Sequence, residues 1–200
     1  MRPDIVISET AKPAGRGLKI RENPIALCAK NLNIPLMETD SKTKTAEILA
    51  KFNLDAVLIF AFGQILTIDA IESVKYGIYN VHPSLLPQLR GATPIQSALL
   101  EGKTKTGISL MQINTKMDEG DLVAQTPMNI EKDDHCRNLW KKVSLKAVSF
   151  VPNAYAKALT GQVTKYPQTG QITYCKPISD EELAITPQTT ICANYYFPTI

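Results

Sequence analysis

The chain has 200 residues, of which 44% are hydrophobic and 20% are charged, a balance that is ordinary for a globular domain with one sizeable core. Its net charge of +3 is too small to indicate a nucleic-acid-binding protein by itself. No apolar run approaches the roughly 20 residues that span a bilayer, and the apolar part of the N-terminus is too short for a secretory signal.

Strand-like and helix-like segments alternate along the first half of the chain. The hydrophobic pattern predicts strands and helices in turn, with strands over residues 4–8, 54–62 and 77–82 and helices over residues 23–34, 41–53 and 67–75. Asn23 and Ser41 are typical helix N-caps, and Pro24 suits a first helical position. The nearly continuous apolar run at 54–62 is typical of a parallel strand that is covered on both faces.

The second half continues this alternation, with a predicted helix over residues 94–102 and two strands over residues 106–114 and 121–130. Asp133 and Asp134 should open a long helix that kinks or restarts at Pro152 and ends at Gly161. The apolar residues of this helix recur near helical spacing at Leu139, Val143, Val148 and Val151. The turn-rich segment that follows is predicted to pack irregularly.

Alternating strands and helices predict an α/β fold with a doubly wound, mostly parallel, Rossmann-like sheet. Ligands of such sheets lie outside the carboxyl ends of the strands. Four predicted strands are followed by groups of functional interest, namely the basic loop after residue 8, Phe62-Gly63-Gln64, Asn80 with His82, and Asp118. The sequence thus predicts one edge of the sheet where these groups meet.

Asn80 and His82 form the centre of a candidate catalytic site. Because side chains alternate along a strand, both point to one face, and Pro83 keeps His82 out of a helix. An amide and an imidazolium on one side supply two directed donors, which suits a developing oxyanion. A carboxylate, either Asp118 or its rival Asp121, would hold the histidine tautomer and favour the charged ring.

This arrangement suits acyl transfer to an amine through a tetrahedral intermediate. No Gly-x-Ser-x-Gly motif is present and no cysteine lies in the predicted site, so direct attack by the substrate's own amine is favoured over a covalent enzyme intermediate. The alternative interpretation is structural, with Asn80 a turn residue, His82 a satisfied buried histidine and Asp118 a solvent-facing acid. The spacing alone does not decide between the two.

Residues 11–21 contain four basic residues and no acid, with prolines and glycines between them: Lys12, Arg16, Lys19 and Arg21. This segment is either a solvated loop or a flexible arm for a polyanion. The four cysteines are widely spaced and no Cys-x-x-Cys or His-x-x-x-His motif accompanies them. Their pattern predicts reduced thiols, a cytoplasmic location and no metal site.

Two longer motifs add a resemblance to a known family. Two stretches of this chain resemble the signature of the folate-dependent formyltransferases. They are NVHPSLLPQLRGATPIQSALLEG at residues 80–102 and TGISLMQINTKMDEGD at residues 106–121. The likeness runs almost without a gap over residues 60–125 and more loosely over residues 4–179. It implies a formyltransferase-type α/β fold and 10-formyltetrahydrofolate as the formyl donor.

The resemblance also implies the roles of individual residues. Catalysis in that family belongs to an asparagine, a histidine and an aspartate, which map onto Asn80, His82 and Asp118. The implied folate-binding residues are Ser84, Leu85, Leu86 and Pro87, together with Phe62, Gly63, Gln64 and Ile65. An extended apolar loop with free backbone groups would suit a flat heterocycle, although simple packing of the two leucines is equally compatible with the sequence.

Within the family, RGATPIQ (90–96) and AFGQIL (61–66) are most similar to the branch that acts on methionyl-tRNA. Branches that act on glycinamide ribonucleotide or on nucleotide-linked amino sugars are the alternatives. KPAGRG (12–17) is similar to the loop with which the first branch reaches the tRNA acceptor end, which implies phosphate contacts for Lys12, Arg16, Lys19 and Arg21. The implied activity is initiator tRNA formylation in translation initiation, by a monomer without membrane contact.

Compared with the family, both ends of the chain are short. Members usually begin with one more strand of the sheet, and those of the methionyl-tRNA branch carry a C-terminal β-barrel domain. We therefore expect an incomplete catalytic domain over residues 1–165 and a linker or tail over residues 166–200. A non-catalytic remnant that binds folate or RNA stays open as an alternative of a different class.

Overall fold

The structure is a computed structural model that describes residues 2–14 and 18–178. Its strands are β1 (Val6–Ser8), β2 (Lys12–Ala14), β3 (Lys19–Arg21), β4 (Leu36–Glu38), β5 (Val57–Ile59), β6 (Ile78–His82), β7 (Arg90–Gly91), β8 (Lys105–Gln112), β9 (Leu122–Asn129) and β10 (Tyr174–Cys175). Its helices are α1 (Pro24–Asn31), α2 (Lys42–Phe52), α3 (Ile68–Glu72), α4 (Pro94–Leu100) and α5 (Cys136–Ala156), followed by a 3₁₀ turn at Ala158–Thr160. Among the helices of these ranges, none combines the length and apolar character of a membrane span.

A four-stranded sheet in the order β5-β6-β8-β9 forms the centre of the fold. β5 and β6 are parallel, with Ile59 opposite Asn80, whereas β8 is antiparallel to both β6 and β9. β1 and β4 form a separate parallel pair. With helices between the strands, this is the predicted α/β, Rossmann-like architecture, and the carboxyl ends of β5 and β6 lie at one edge.

Hydrophobic side chains cover both faces of the central sheet. Tyr79 and Val81 of β6 lie in a core cluster with Val143 of α5. Ile78 of the same strand lies in a second cluster with Leu49 of α2. Neighbouring side chains of β6 therefore alternate between two buried faces, as the strand geometry requires.

The predicted helix caps are confirmed. Oδ1 of Asn23 accepts a hydrogen bond from the Ile25 amide at 2.9 Å, and Pro24 is the first residue of α1. Oγ of Ser41 accepts one from the Lys44 amide at 3.3 Å at the start of α2. Because these bonds satisfy amides that a helix N-terminus leaves without partners, local sequence is enough to place both helix starts.

Strand β5 is shorter than the strand predicted over residues 54–62, since it comprises only Val57–Ile59. Before it, the carbonyl of Leu54 accepts a hydrogen bond from the Lys75 amide instead of joining the ladder. After it, Ala61 has a φ of 51°, which takes the chain out of the extended region. The apolar run predicted the strand, but backbone partners far along the chain limit its length.

Helix α5 continues through Pro152, so the predicted restart at that residue is wrong. Proline lacks the amide that would bond the carbonyl four residues earlier, which belongs to Val148. Val148 is 74% exposed, so this turn of the helix lies at the surface of the protein. Of the apolar residues that recur near helical spacing in this helix, Val148 is thus on the exposed side, whereas the other three are buried: Leu139, Val143 and Val151.

Asp134 precedes α5, which begins at Cys136, and it is 1% exposed. Its Oδ2 accepts hydrogen bonds from the Glu131 amide and from Nζ of Lys142, both at 2.8 Å. The hydrogen bond with Asp134 raises the pKa of Lys142. Asp134 therefore joins the loop before α5 to the helix itself.

Replacement of Asp134 by alanine is expected to lower the free energy of unfolding by about 1–3 kcal/mol, because the Glu131 amide loses its acceptor. The neighbouring Asp133 is exposed, and Asp133→Ala is the matched control, with an expected change within about 0.5 kcal/mol. Urea unfolding followed by circular dichroism measures both variants. Equal losses for the two would contradict the role of Asp134.

Residues 166–178 pack against the central sheet and its neighbouring loops. Tyr166 and Leu122 exchange two backbone hydrogen bonds of 2.8 and 2.9 Å. β10 pairs in parallel with β7, so the segment is more regular than the sequence indicates. The domain boundary after residue 165 stays a prediction, and residues 179–200 lie outside the described part of the chain.

Candidate active site

Strand β6 presents Asn80 and His82 on the face that also carries Ile78. Asn80 lies between Ile59 of β5 and Met111 of β8, and its side chain is half-buried. Within residues 2–14 and 18–178, its carboxamide makes no hydrogen bond. Both amide hydrogens of Asn80 are therefore free to bind a ligand.

The His82 ring is 4% exposed and lies between two acceptors. Its Nε2 is 2.8 Å from the carbonyl oxygen of Leu89, and its Nδ1 is 3.7 Å from Oδ2 of Asp118. The second distance is longer than a hydrogen bond. The ring thus has an acceptor on each side, and its Nδ1 faces the space beside Asp118, where a third group can enter.

Asp118 reaches the histidine from the loop between β8 and β9. Its Oδ2 accepts a hydrogen bond from the Gly91 amide at 2.8 Å. Its φ of 51° is left-handed, a region that aspartate tolerates better than most residues. The rival carboxylate, Asp121, is exposed. The structure therefore places Asp118 and not Asp121 beside His82.

The segment predicted to contact folate is largely buried. Ser84, Leu86 and Pro87 are inaccessible, and the carbonyl of Ser84 accepts a hydrogen bond from Oγ of Ser109 at 2.6 Å. The Leu86 amide donates to Oγ of Ser109 at 3.1 Å. The carbonyls of Leu86 and Pro87 accept hydrogen bonds from Gln125 and Thr173. The expectation of free backbone groups is therefore wrong. Leu85 is the partly exposed member of the four.

The loop after β5 carries the other residues predicted to bind folate, Phe62, Gly63, Gln64 and Ile65. The Gln64 side chain donates to the Thr39 carbonyl at 2.9 Å and accepts from Oγ1 of Thr45 at 3.1 Å. It thereby ties the loop to α2 and the turn before it. Ile65 is 64% exposed and thus available for contact with a ligand.

On either side of residues 15–17, the basic segment consists of the two strands of a β-hairpin. β2 and β3 pair antiparallel, with Lys12 opposite Arg21 and Ala14 opposite Lys19. Since alternate residues of a strand share a face, the three basic side chains lie on one face of the ribbon. Arg16, predicted to contact tRNA, lies outside the described residues.

The three described basic side chains of this hairpin differ in their partners. Nζ of Lys12 lies 2.8 Å from Oε2 of Glu9 and 3.3 Å from Oδ1 of Asp40, so its charge is already matched. The hydrogen bond with Glu9 raises the pKa of Lys12. Lys19 and Arg21 are exposed and form no ion pair within the described ranges. They are the cations of the hairpin that remain available.

Sequence reasoning missed several groups that hold the site together. Leu89 supplies the carbonyl for His82, and Gly91 supplies the amide for Asp118. Arg90 and Gly91 belong to the motif that resembles the family, and this was the signal in the sequence that could have indicated their role. Gln168 bonds the carbonyl of Asp118 although it lies 50 residues further along the chain, where no motif marks it.

No group of three or more histidine, cysteine or acidic residues in the described ranges is placed to hold a metal ion, and the absence of a metal stays a prediction. Cys175 is buried close to the site, where its Sγ donates to the Arg90 carbonyl at 3.2 Å. Burial raises the pKa of this thiol, which keeps it protonated. Cys175 therefore has the properties of a packing residue.

Comparison with known proteins adds independent findings. Residues 4–155 match the family described as formyl transferase. A methionyl-tRNA formyltransferase of Sulfurihydrogenibium is 38% identical over 88% of this chain and 58% of its own length. One of Caulobacter vibrioides is 36% identical over 90% of this chain and 59% of its own length. The chain thus spans about three fifths of the length of these curated relatives.

Solved structures agree in fold. A methionyl-tRNA formyltransferase from Clostridium thermocellum superposes with a TM-score of 0.66 at 18% identity, over 92% of this chain and 77% of that one. A glycinamide ribonucleotide transformylase from Symbiobacterium toebii gives a TM-score of 0.69 at 19% identity, over 82% of this chain and 81% of that one. At these identities the structures establish the architecture alone.

Proposed function

This chain belongs to the formyl transferase family, and we propose that it transfers a formyl group from 10-formyltetrahydrofolate to the α-amino group of methionyl-tRNA. The observation that carries the proposal is the arrangement of Asn80, His82 and Asp118 at the end of β6. The curated relatives support the choice of acceptor. Formylation of initiator tRNA would place the protein in the cytoplasm, at the start of translation.

In the proposed mechanism, the amine of the methionyl ester attacks the formyl carbon directly. The carbonyl oxygen of the formyl group then becomes negative, and the free carboxamide of Asn80 donates to it. His82 donates to the same formyl oxygen from Nδ1, the ring nitrogen that lies beside the Asp118 carboxylate. Asp118 also lies where it can accept a proton from the attacking amine, directly or through water. The tetrahedral intermediate then collapses with cleavage of the bond between the formyl carbon and N10 of the folate. N10 takes up the proton that the amine has lost, and tetrahydrofolate leaves.

We propose that the folate lies along the loops that follow β5 and β6, because parallel strands bring these loops to one edge. The accessible apolar side chains there, Leu85 and Ile65, would contact it. Phe62 is partly exposed, as Leu85 is, and Gly63 is exposed, so both would also line the folate site. The remaining members of the predicted set would shape the site from within: Ser84, Leu86, Pro87 and Gln64.

A direct assay tests the proposed function. The purified protein is incubated with 10-formyltetrahydrofolate and, in parallel, with methionyl-tRNA, glycinamide ribonucleotide or a nucleotide-linked 4-amino sugar, and formylated product is measured by mass spectrometry. We expect product with methionyl-tRNA. Product with another acceptor alone would assign the chain to that branch. Binding of folate or RNA without product would identify a non-catalytic remnant.

The hairpin formed by β2 and β3 is proposed to contact tRNA phosphates through Lys19 and Arg21. Replacing both by alanine should weaken binding of methionyl-tRNA. The plot of the logarithm of the association constant against the logarithm of the salt concentration should become less steep, with the magnitude of its slope smaller by about 1.5–2. Affinity for the folate should not change. Lys51→Ala removes an exposed lysine at the end of α2 and is the matched control. Filter binding at several salt concentrations gives the slopes, and equal slopes for the two variants would exclude the hairpin.

A further inference from the structure

We propose that Gln168 is a positioning residue that holds Asp118 in place beside His82. Gln168 lies after residues 4–155, which match the family model, in the segment that packs against the sheet after α5. The inference rests on the proposed function for its kinetic consequences. Its geometric content is independent of which acceptor the protein formylates.

The carboxamide of Gln168 makes four hydrogen bonds. Its Nε2 donates to the carbonyl of Asp118 and to the carbonyl of Gly120, both at 2.8 Å. Its Oε1 accepts from Nε and Nη2 of Arg90 at 3.1 and 2.8 Å. A primary amide has two donor hydrogens and two lone pairs, so every one of them is used. A side chain bound at all four positions acts as a fixed link between two segments.

The guanidinium of Arg90 anchors this link. Arg90 is 4% exposed, and its Nη1 lies 3.3 Å from Oε1 of Glu119 and 3.2 Å from the hydroxyl of Tyr174. The next residue is Gly91, whose amide donates to the Asp118 carboxylate. Strand β7 therefore contacts the Asp118 loop through both of its residues, the Arg90 side chain and the Gly91 amide. Gln168 bonds both Arg90 and the loop.

Asp118 needs this support because of its own backbone. Residues 114–117, which lead to it, are exposed, and Asp118 itself has the left-handed φ of 51°. A residue in that region keeps its conformation only when its surroundings hold it. Both carbonyls that Gln168 bonds, one on each side of Glu119, belong to this turn. Without the two hydrogen bonds from Gln168, the carboxylate of Asp118 is free to move away from the Gly91 amide and from His82.

The test uses Gln168→Glu, which keeps an acceptor for Arg90 but removes both hydrogens that bond the loop. Gln171→Glu is the matched control, because Gln171 lies in the same segment and is exposed, with no hydrogen bond of its side chain in the described ranges. Hydrogen exchange of the Gly91 amide reports on Asp118 directly. We expect exchange of this amide to be at least tenfold faster in Gln168→Glu, as in Asp118→Ala, and unchanged in Gln171→Glu.

The kinetic constants kcat and KM are a second measurement, which separates a positioning role of Gln168 from a purely structural one. We expect kcat to fall by about 10–100-fold with KM for the folate unchanged, and Gln168→Glu to have no further effect in an Asp118→Ala background. Unchanged exchange of Gly91 in Gln168→Glu would overturn the inference. Absence of product from the unsubstituted protein would instead overturn the proposed function, since the exchange measurement needs no activity.

Discussion

Replacement of Asn80 by alanine is expected to lower kcat about 10²–10³-fold, while the protein folds normally and binds folate with unchanged affinity. Removal of one donor to a developing oxyanion typically has an effect of this size, about 2.7–4 kcal/mol. Asn80 is the cleanest test of the site because its carboxamide has no hydrogen-bond partner in the described part of the fold. His82→Ala is less clean, since it also removes one of the two hydrogen bonds to the Leu89 carbonyl and leaves only the weaker one from Sγ of Cys175.

The measurement is steady-state formylation of methionyl-tRNA together with thermal unfolding and folate titration. Asn129→Ala is the matched control, because Asn129 is an exposed asparagine at the end of β9, outside the proposed site. Near-normal turnover by the Asn80 variant would show that the proposed mechanism assigns the oxyanion to the wrong group. A loss of stability without a change in kcat would indicate that Asn80 has a structural role.

Replacement of Gly120 by alanine is expected to destabilise the fold by about 3 kcal/mol or more, because an added Cβ would overlap the backbone carbonyl of Gln112. This neighbour is backbone in the central sheet and cannot move aside cheaply. For a chain of this length the loss corresponds to a fall in Tm of about 6–12 °C. The same displacement should reduce kcat, since Gly120 lies two residues after Asp118.

Gly102→Ala is the control for the glycine prediction. Gly102 has a φ of +61°, and an added Cβ there meets no atom within 4 Å. The cost of the left-handed conformation alone is about 1–2 kcal/mol. Scanning calorimetry compares the two variants. If Gly120→Ala were no less stable than Gly102→Ala, the close packing of the Asp118 loop against β8 would be refuted.

Features with a local cause could be predicted from the sequence. The caps at Asn23 and Ser41 are short-range hydrogen bonds between neighbouring residues, and both are present. The common face of Asn80 and His82 follows from strand periodicity alone. Features with a distant cause could not be predicted. The length of β5 depends on a backbone hydrogen bond to Lys75, and α5 runs through Pro152 although the local sequence predicts a break there.

The folate segment shows the same division between local and distant causes. Its composition correctly indicated that residues 84–87 are neither strand nor helix. The expectation of free backbone groups failed because Ser109 and Gln125, on strands β8 and β9, bond to that backbone. Partners on other strands do not leave a pattern within the segment itself. Accessibility to a ligand is consequently a tertiary property, and here it favours Leu85 over its neighbours.

The amino-acid sequence by itself determined the α/β class, the starts of α1 and α2, and the pair of Asn80 and His82, since these follow from periodicity, caps and a motif read along one segment. The tertiary structure alone decided which carboxylate meets His82 and what holds it there. That choice depends on hydrogen bonds from Gly91 and Gln168, residues far from Asp118 in the chain. Contacts between distant segments form only when the whole chain packs, and no single stretch of sequence carries their pattern.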